Sequence, residues 1–314
     1  MKILVTGGCG FKGHVLVPKL LARGYEVVVI DTLWFGNFLE KHSRLNIIQI
    51  DIRNLAIEHF TDVDIVIHLA SIANDPCGDL NSKLTWEVNA LATMTLVECA
   101  KSAGVNQIIY ASSGSVYGVS DAANVTEELP LKPISDYNKT KMISERILLS
   151  YFDHMKIQIL RPATVCGVSP RMRFDVAVNL LAMQALSVEE ITVLGGDQVR
   201  PNVHIDDITD AYLHFIDNPE FTGIYNIVFE NLSLMDIAKI VQNFCPAKIK
   251  VLESQDPRSY RVDSSKIIAS GFSPKKTVNT AIIEIKEMFD NGSLKNQTMF
   301  NNLLWMKENG IAQL

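Results

Sequence analysis

The chain has 314 residues, 47% of them hydrophobic, enough for a large core and about two domain-lengths of structure. Its 29 basic against 35 acidic residues give a net charge of −6, with no basic block that would track a phosphate backbone, so nucleic acid is not an expected partner. No apolar run reaches the ~18 residues needed to span a bilayer, and the chain opens on Met1-Lys2-Ile3-Leu4-Val5 without a charged leader, so no membrane association and a cytoplasmic location are expected. Cys9, Cys77, Cys99, Cys166 and Cys245 form no Cys-x-x-Cys pair and are odd in number, which fits reduced thiols and no metal site.

In chain order, short apolar runs alternate with amphipathic stretches through the first half. Strands are predicted from Lys2 to Thr6, Glu26 to Asp31, Asn46 to Asp51, Asp64 to Ser71, Gln107 to Ser112 and Lys156 to Val165, because near-continuous Val, Ile and Leu suits a sheet covered on both faces. Helices are predicted over 12–23, ending at Gly24, over 79–103, ending at Gly104, and over 137–153. Repeated βαβ order implies a doubly wound parallel α/β sheet with right-handed crossovers. After residue 165 the rhythm changes. Short strands from Ile191 to Leu194, Tyr225 to Phe229 and Lys248 to Leu252 mix with helices over 174–187, 207–217, 233–244 and 277–290. The expected organisation is a dinucleotide-binding domain over 1–165 and a smaller α+β substrate lobe over 166–314, with an approximate boundary across which the chain can pass back, and no Gly/Ser or Pro-rich tether between them.

Thr6-Gly7-Gly8-Cys9-Gly10-Phe11-Lys12-Gly13 follows the first strand and opens the first helix. Gly7, Gly10 and Gly13 permit the tight turn and close backbone approach, while free N–H groups at the helix start, from Phe11 and Lys12 onward, attract a diphosphate. Glycine spacing alone is weak, but a strand precedes it, a helix follows, and Asp31 closes the second strand, which completes a dinucleotide fingerprint. Asp31 would accept from both ribose hydroxyls and repel a 2′-phosphate, favouring NAD. Asp51 and Ile52 could cover the adenine, and Leu69, Ala70 and Ser71 could lie along the ribose and diphosphate; ordinary strand-end roles fit these residues equally well.

Tyr137 and Lys141 stand at i and i+4 near the start of a predicted helix, over one face. Free tyrosine titrates near ~10, so a phenolate at neutrality needs on the order of 4 kcal/mol of help. An adjacent ammonium and an oxidised nicotinamide are the right kind of help. Ser112-Ser113-Gly114-Ser115-Val116-Tyr117-Gly118 ends the fifth strand, at the carboxyl edge where such sheets bind ligand, and a serine hydroxyl there can bond a substrate oxygen.

With Arg161-Pro162 and Arg200 to His204, these marks resemble the extended short-chain dehydrogenase/reductases of the NAD-dependent epimerase/dehydratase family, which act on nucleotide-activated sugars on a Rossmann-type fold. The resemblance implies NAD as cofactor, Tyr137 as acid/base, Ser113 as the hydroxyl that orients the sugar, with Ser115 nearby, and Lys141 bonding the nicotinamide ribose. It places Asn89 in a helix bounding the cofactor, Pro162 beside the nicotinamide, and Arg200 and Arg258, assisted by Asn179, on the substrate diphosphate. Arg171 and Arg173 fit surface arginines as well as ligands; Cys166 reads as a packing residue and His204 as a structural one. A homodimer pairing helices 79–103 and 137–153 is implied, with Leu91, Met94, Leu148 and Leu149 available to it.

The first chemical step of the family is oxidation of a sugar hydroxyl, usually at C4. Branches that eliminate water or carbon dioxide carry an acid beside the serine, where this chain has Gly114 and Ser115, and the 3,5-epimerase branch carries a cysteine there. Simple C4 oxidation and 4-epimerisation remain. Ser169 to Asp175 and Gly195 to Pro201 resemble GDP-heptose 4-dehydrogenases of capsule synthesis, which favours oxidation, with 4-epimerisation as the alternative and a non-catalytic dinucleotide-binding protein as a third reading that retention of Tyr137 and Lys141 argues against.

Overall fold

The computed structural model describes residues 1–119, 122–254, 259–294 and 297–313. The first half contains β1 (Lys2–Thr6), α1 (Gly13–Ala22), β2 (Glu26–Asp31), β3 (Leu45–Gln49), β4 (Ile65–His68), α2 (Asp75–Leu80), α3 (Ser82–Trp86), α4 (Ala92–Ser102), β5 (Gln107–Ala111), α5 (Asp136–Leu149) and β6 (Lys156–Pro162). The second contains β7 (Thr164–Cys166), α6 (Ala177–Val188), β8 (Glu190–Leu194), β9 (Val199–His204), α7 (Ile205–Asp217), β10 (Gly223–Ile227), β11 (Glu230–Ser233) and α8 (Leu234–Phe244). It ends with β12 (Lys248–Leu252), α9 (Ser265–Ala269), α10 (Val278–Asp290) and α11 (Asn302–Glu308).

Seven parallel strands form the main sheet in the order β10-β6-β5-β4-β1-β2-β3. Both faces are covered, and the alternation of side chains shows it: Ile3 and Val5 of β1 join the layer of α1 and α7, whereas Leu4 joins the layer of α4 and α5. The same division separates Val27 and Val29 from Val28 and Ile30 in β2, and Ile109 and Ala111 from Ile108 and Tyr110 in β5. Strand order reverses between β1 and β4, so a crevice opens above their carboxyl ends, where such sheets hold ligand.

The second lobe has a three-stranded sheet, β11-β9-β7, and a parallel pair, β12-β8, around a core from α6, α8 and α10. Its separation from the first is incomplete. The strand expected in this lobe near Tyr225 is β10, and it pairs with β6 from Gly223↔Gln158 to Ile227↔Pro162, so residues beyond the expected boundary at 165 extend the large sheet. Periodicity identifies an apolar strand but carries no information about which edge it joins.

The helix predicted over 79–103 is broken. Asn81 is extended (φ −147°) and its side chain caps α3 by accepting from Leu84 N–H, and a π turn over Glu87–Leu91 precedes α4. Leu91 and Met94 are exposed, but Leu148, expected to be available to a partner, is fully buried in this chain's own core. No helix among the described residues is long and apolar enough to cross a membrane.

Candidate active site

One cavity of about 490 Å³ lies over the carboxyl ends of β1, β2, β4, β5 and β6. Its wall includes Gly7, Gly10, Phe11, Lys12, Gly13, Asp31, Asp51, Ile52, Leu69, Ala70, Ser71, Ser113, Ser115, Tyr137, Lys141, Pro162 and Arg200. Residues far apart in sequence are thus brought to a single surface.

The glycine loop shows two different needs for glycine. Gly13 packs the helix start on the loop, because a Cβ there would lie 2.2 Å from the Gly8 carbonyl oxygen, and Gly7 (φ +71°) would drive one to 2.6 Å from Ala70 N. Gly10 differs: its Cβ would meet only the Gly7 oxygen, at 3.2 Å, and otherwise point into open space on the cavity side. The Phe11 and Lys12 N–H groups find no acceptor among the described residues. Asp31 accepts from Cys9 N–H (2.9 Å) and Leu33 N–H (2.8 Å), which holds its carboxylate at the cavity edge with lone pairs to spare for hydroxyls. A cradle open at Gly10, unpaired N–H groups at a helix start and an anchored carboxylate at the end of β2 fit a dinucleotide. Asp51 also caps the following turn and is paired with Arg53 at 2.9 Å.

Ser135 caps α5 by accepting from Asn138 N–H (3.1 Å), which sets the first turn and carries Tyr137 to the cavity. Tyr137 is hydrogen-bonded to Ser113. Ser113 Oγ lies 2.7 Å from Ser115 Oγ, which in turn donates to Asn138 Oδ1. One turn along α5, Lys141 is buried, donates to the Ala111 carbonyl at 2.8 Å and lies 5.9 Å from the centre of the Tyr137 ring. Burial, opposed by the Ser113 hydrogen bond, pushes the Tyr137 phenol up to about 12; burial and then the charge of Lys12 push Lys141 down to about 7. Lys12 itself is held down to about 8 by burial and by Arg173.

Two expected ligands do not reach the cavity. Asn89, on the π turn, is buried and spends its amide on Ile72, accepting from its N–H (2.8 Å) and donating to its carbonyl (3.1 Å), as well as on Ser71 and Thr140. It holds the loop after β4 from beneath. Asn179 is fully buried and its amide bridges Gly167 N–H and the Gly167 and Arg173 carbonyls, so it shapes the loop before α6 instead of presenting a donor to substrate. Arg258 lies outside the described residues. Cys166 is buried, and burial pushes its thiol up, as expected of a packing residue. His204 caps α7, and the nearby carboxylates of Asp206 and Glu284 are bridged by Lys276 at 2.6 Å each.

The wall also contains Trp34, Phe35, Asp175 and Asn302, none of which was expected there, and Arg171 and Arg173, for which a ligand role and a surface role fitted equally. Adjacent aromatics following Asp31, outside any amphipathic period, were the available signal for Trp34 and Phe35. Nothing local pointed to Asn302.

Residues 3–228 match the model of the NAD dependent epimerase/dehydratase family. The chain belongs to that family. A UDP-glucose 4-epimerase of Lactobacillus helveticus is 27% identical over 305 residues, 88% of this chain and 92% of its own length. A putative UDP-glucose 4-epimerase of Methanocaldococcus jannaschii is 30% identical over 219 residues, 67% of this chain and 72% of its own. Among solved structures, the UDP-glucuronic acid 4-epimerase from Bacillus cereus, in complex with UDP-glucuronic acid and NAD, superposes with a TM-score of 0.82 at 31% identity, over 92% of this chain and 100% of that one. This member of the epimerase/dehydratase family is accordingly an NAD-dependent enzyme acting on nucleotide sugars. The expected likeness to a GDP-heptose dehydrogenase finds no counterpart among these relatives.

Proposed function

We propose that the enzyme is a 4-epimerase of a UDP-linked sugar. The observation that carries this reading is the composition of the reacting end of the cavity: beside Tyr137 and Ser113, the end of β5 offers Gly114 and Ser115, neither of which can act as a second acid or base for elimination or decarboxylation. Similarity to UDP-sugar 4-epimerases over nearly the full chain supports the same reading and favours it over net C4 oxidation.

Bound NAD supplies the acceptor for hydride from C4 and, in the reverse half-reaction, its donor, together with positive charge beside the phenol. Tyr137, as phenolate, would take the proton of the 4-hydroxyl and, once the 4-keto sugar has turned over so that hydride can return to the opposite face of C4, would give a proton back to the same oxygen. Ser113 holds that oxygen within reach of the phenol, and Lys141, fixed by the Ala111 carbonyl, favours the phenolate whenever it carries its own proton. Arg200, on the wall contributed by β9, is the side chain proposed to hold the substrate diphosphate.

The test is incubation of the enzyme with UDP-glucose, UDP-glucuronic acid and UDP-N-acetylglucosamine, with products separated chromatographically and NADH followed at its absorbance band. A C4 epimer without net NADH is expected from one of them. Stoichiometric NADH with a 4-keto sugar would replace this reading by the 4-dehydrogenase one.

A further inference from the structure

We propose that Arg171 and Arg173 complete the cofactor site by binding the dinucleotide diphosphate together with the glycine loop, and that Asn302, on the last helix, latches both arginines in place. The inference concerns cofactor retention and holds whether hydride returns to the sugar or not.

Both arginines come from the loop between β7 and α6 and line the cavity. Arg171 is 1% exposed, yet it has no carboxylate within salt-bridge reach among the described residues. One Nη donates to the Met172 carbonyl (3.3 Å), the other to Asn302 Oδ1, and the buried Nε has no partner. Its guanidinium lies 4.0 Å from the centre of the Phe35 ring, on the loop that follows Asp31. Arg173 forms a two-pronged pair with Asp175, at 2.8 and 2.9 Å. The same carboxylate accepts from Asn302 N–H at 3.2 Å and from Asn74 Nδ2 at 3.1 Å. Asn302 therefore touches Arg171 through its side chain and the partner of Arg173 through its backbone.

Lys12, Arg171 and Arg173 bring three cations to one cavity, and Lys12 and Arg173 are close enough to repel. Asp175 answers Arg173, and the positive charge left on Lys12 and Arg171 is costly to bury unless a further anion sits beside it; a planar guanidinium presents parallel N–H groups that match phosphate oxygens. The choice of anion follows from position. Lys12 belongs to the glycine loop and Phe35 to the loop after β2, the cofactor's end of the cavity, whereas Arg200 stands on β9 in the second lobe. The latch is packed firmly: Trp305 lies against Phe35 (4.9 Å between ring centres) and Trp34 (6.0 Å), and Met306 and Ile311 are buried in the core with Ile52 and Ile72. Both arginines keep this placement only while α11 stays packed.

Release is measured by loading the full chain with NADH, mixing with excess NAD, and following the loss of bound-NADH fluorescence. Arg171→Met and Asn302→Ala are expected to release NADH at least tenfold faster. Arg171→Lys, which keeps the charge and loses the fork, should fall between. The ionic-strength dependence of the release rate should flatten in Arg171→Met and persist in Arg171→Lys, a distinction that a purely structural defect would not produce. Should Arg171→Met fail to fold, Asn302→Ala decides alone. Release rates unchanged in the folded variants would overturn the proposal, as would a rise confined to the KM for the nucleotide sugar, which would assign these arginines to the substrate diphosphate. Failure of the epimerase reading would show in the products and leave this release rate untouched.

Discussion

Tyr137 and Lys141 sit one helical turn apart, but their environments push both toward neutrality, the phenol up to about 12 and the ammonium down to about 7. Burial is the first cause in each case, and it opposes the phenolate that the proposed chemistry requires. Charge favouring the phenolate must therefore come in part with the cofactor, which confines strong base activity to the loaded enzyme. The lysine also has a stability consequence. Its unfolded value is the ordinary one near ~10.4, so between about 7 and that value the unfolded chain binds more protons and stability rises with pH. Replacement by methionine, Lys141→Met, is expected to cut turnover by a hundredfold or more while raising the thermal midpoint. The gain should be largest below pH 7 and fade as pH climbs toward the unfolded value, as read by differential scanning calorimetry across that range. Tyr137, Lys141 and Ser113 were legible from spacing and from their place at strand and helix ends. The sense of the pKa shifts was not, because desolvation depends on everything packed around the pair.

At the scale of single elements, the glycine loop separates folding from binding. Gly13→Ala would force a Cβ to 2.2 Å from a backbone oxygen that belongs to the loop itself, so a loss of about 1–3 kcal/mol in unfolding free energy is expected from displaced backbone, together with weaker cofactor binding. Gly10→Ala meets only one atom, at 3.2 Å, and its φ is not in the left-handed region. Its stability should change by less than ~1 kcal/mol, while NAD affinity falls about tenfold because the methyl occupies the diphosphate approach. Urea unfolding and titration calorimetry on the two variants would show the separation. The loop was readable because strand, glycines and helix are consecutive. The break between α2 and α4 was not: Asn81 looks like any polar residue in a helix until its side chain is seen capping Leu84 N–H, and Asn89 becomes a support for the loop after β4 only once β4 and α5 are packed beside it.

Across the whole molecule, a buried ion pair ties α5, which carries Tyr137 and Lys141, to the sheet. Arg161 on β6 donates to both oxygens of Glu145 on α5, at 2.9 and 2.6 Å, and to Tyr117 Oη at 2.8 Å; Tyr117 in turn donates to Asn226 on β10 at 2.7 Å. Ser112, beside Ser113, donates to the same carboxylate. Glu145→Gln leaves an arginine that is 2% exposed without its counter-charge, and a loss of about 3–5 kcal/mol of stability is expected by urea unfolding. Turnover should fall as well, since Ser112 and α5 lose a common anchor.

The amino-acid order alone determined the alternation of buried strands and helices, the glycine loop with Asp31 after it, and the Tyr137 and Lys141 pair, because each of these is a pattern among near neighbours in the chain. Tertiary structure decided that β10 closes the large sheet, that Asn89 and Asn179 face inward, and that Asn302 reaches Arg171 across more than a hundred residues. Such contacts have no local signature: they exist only when the packing of distant, separately amphipathic elements brings the partners together.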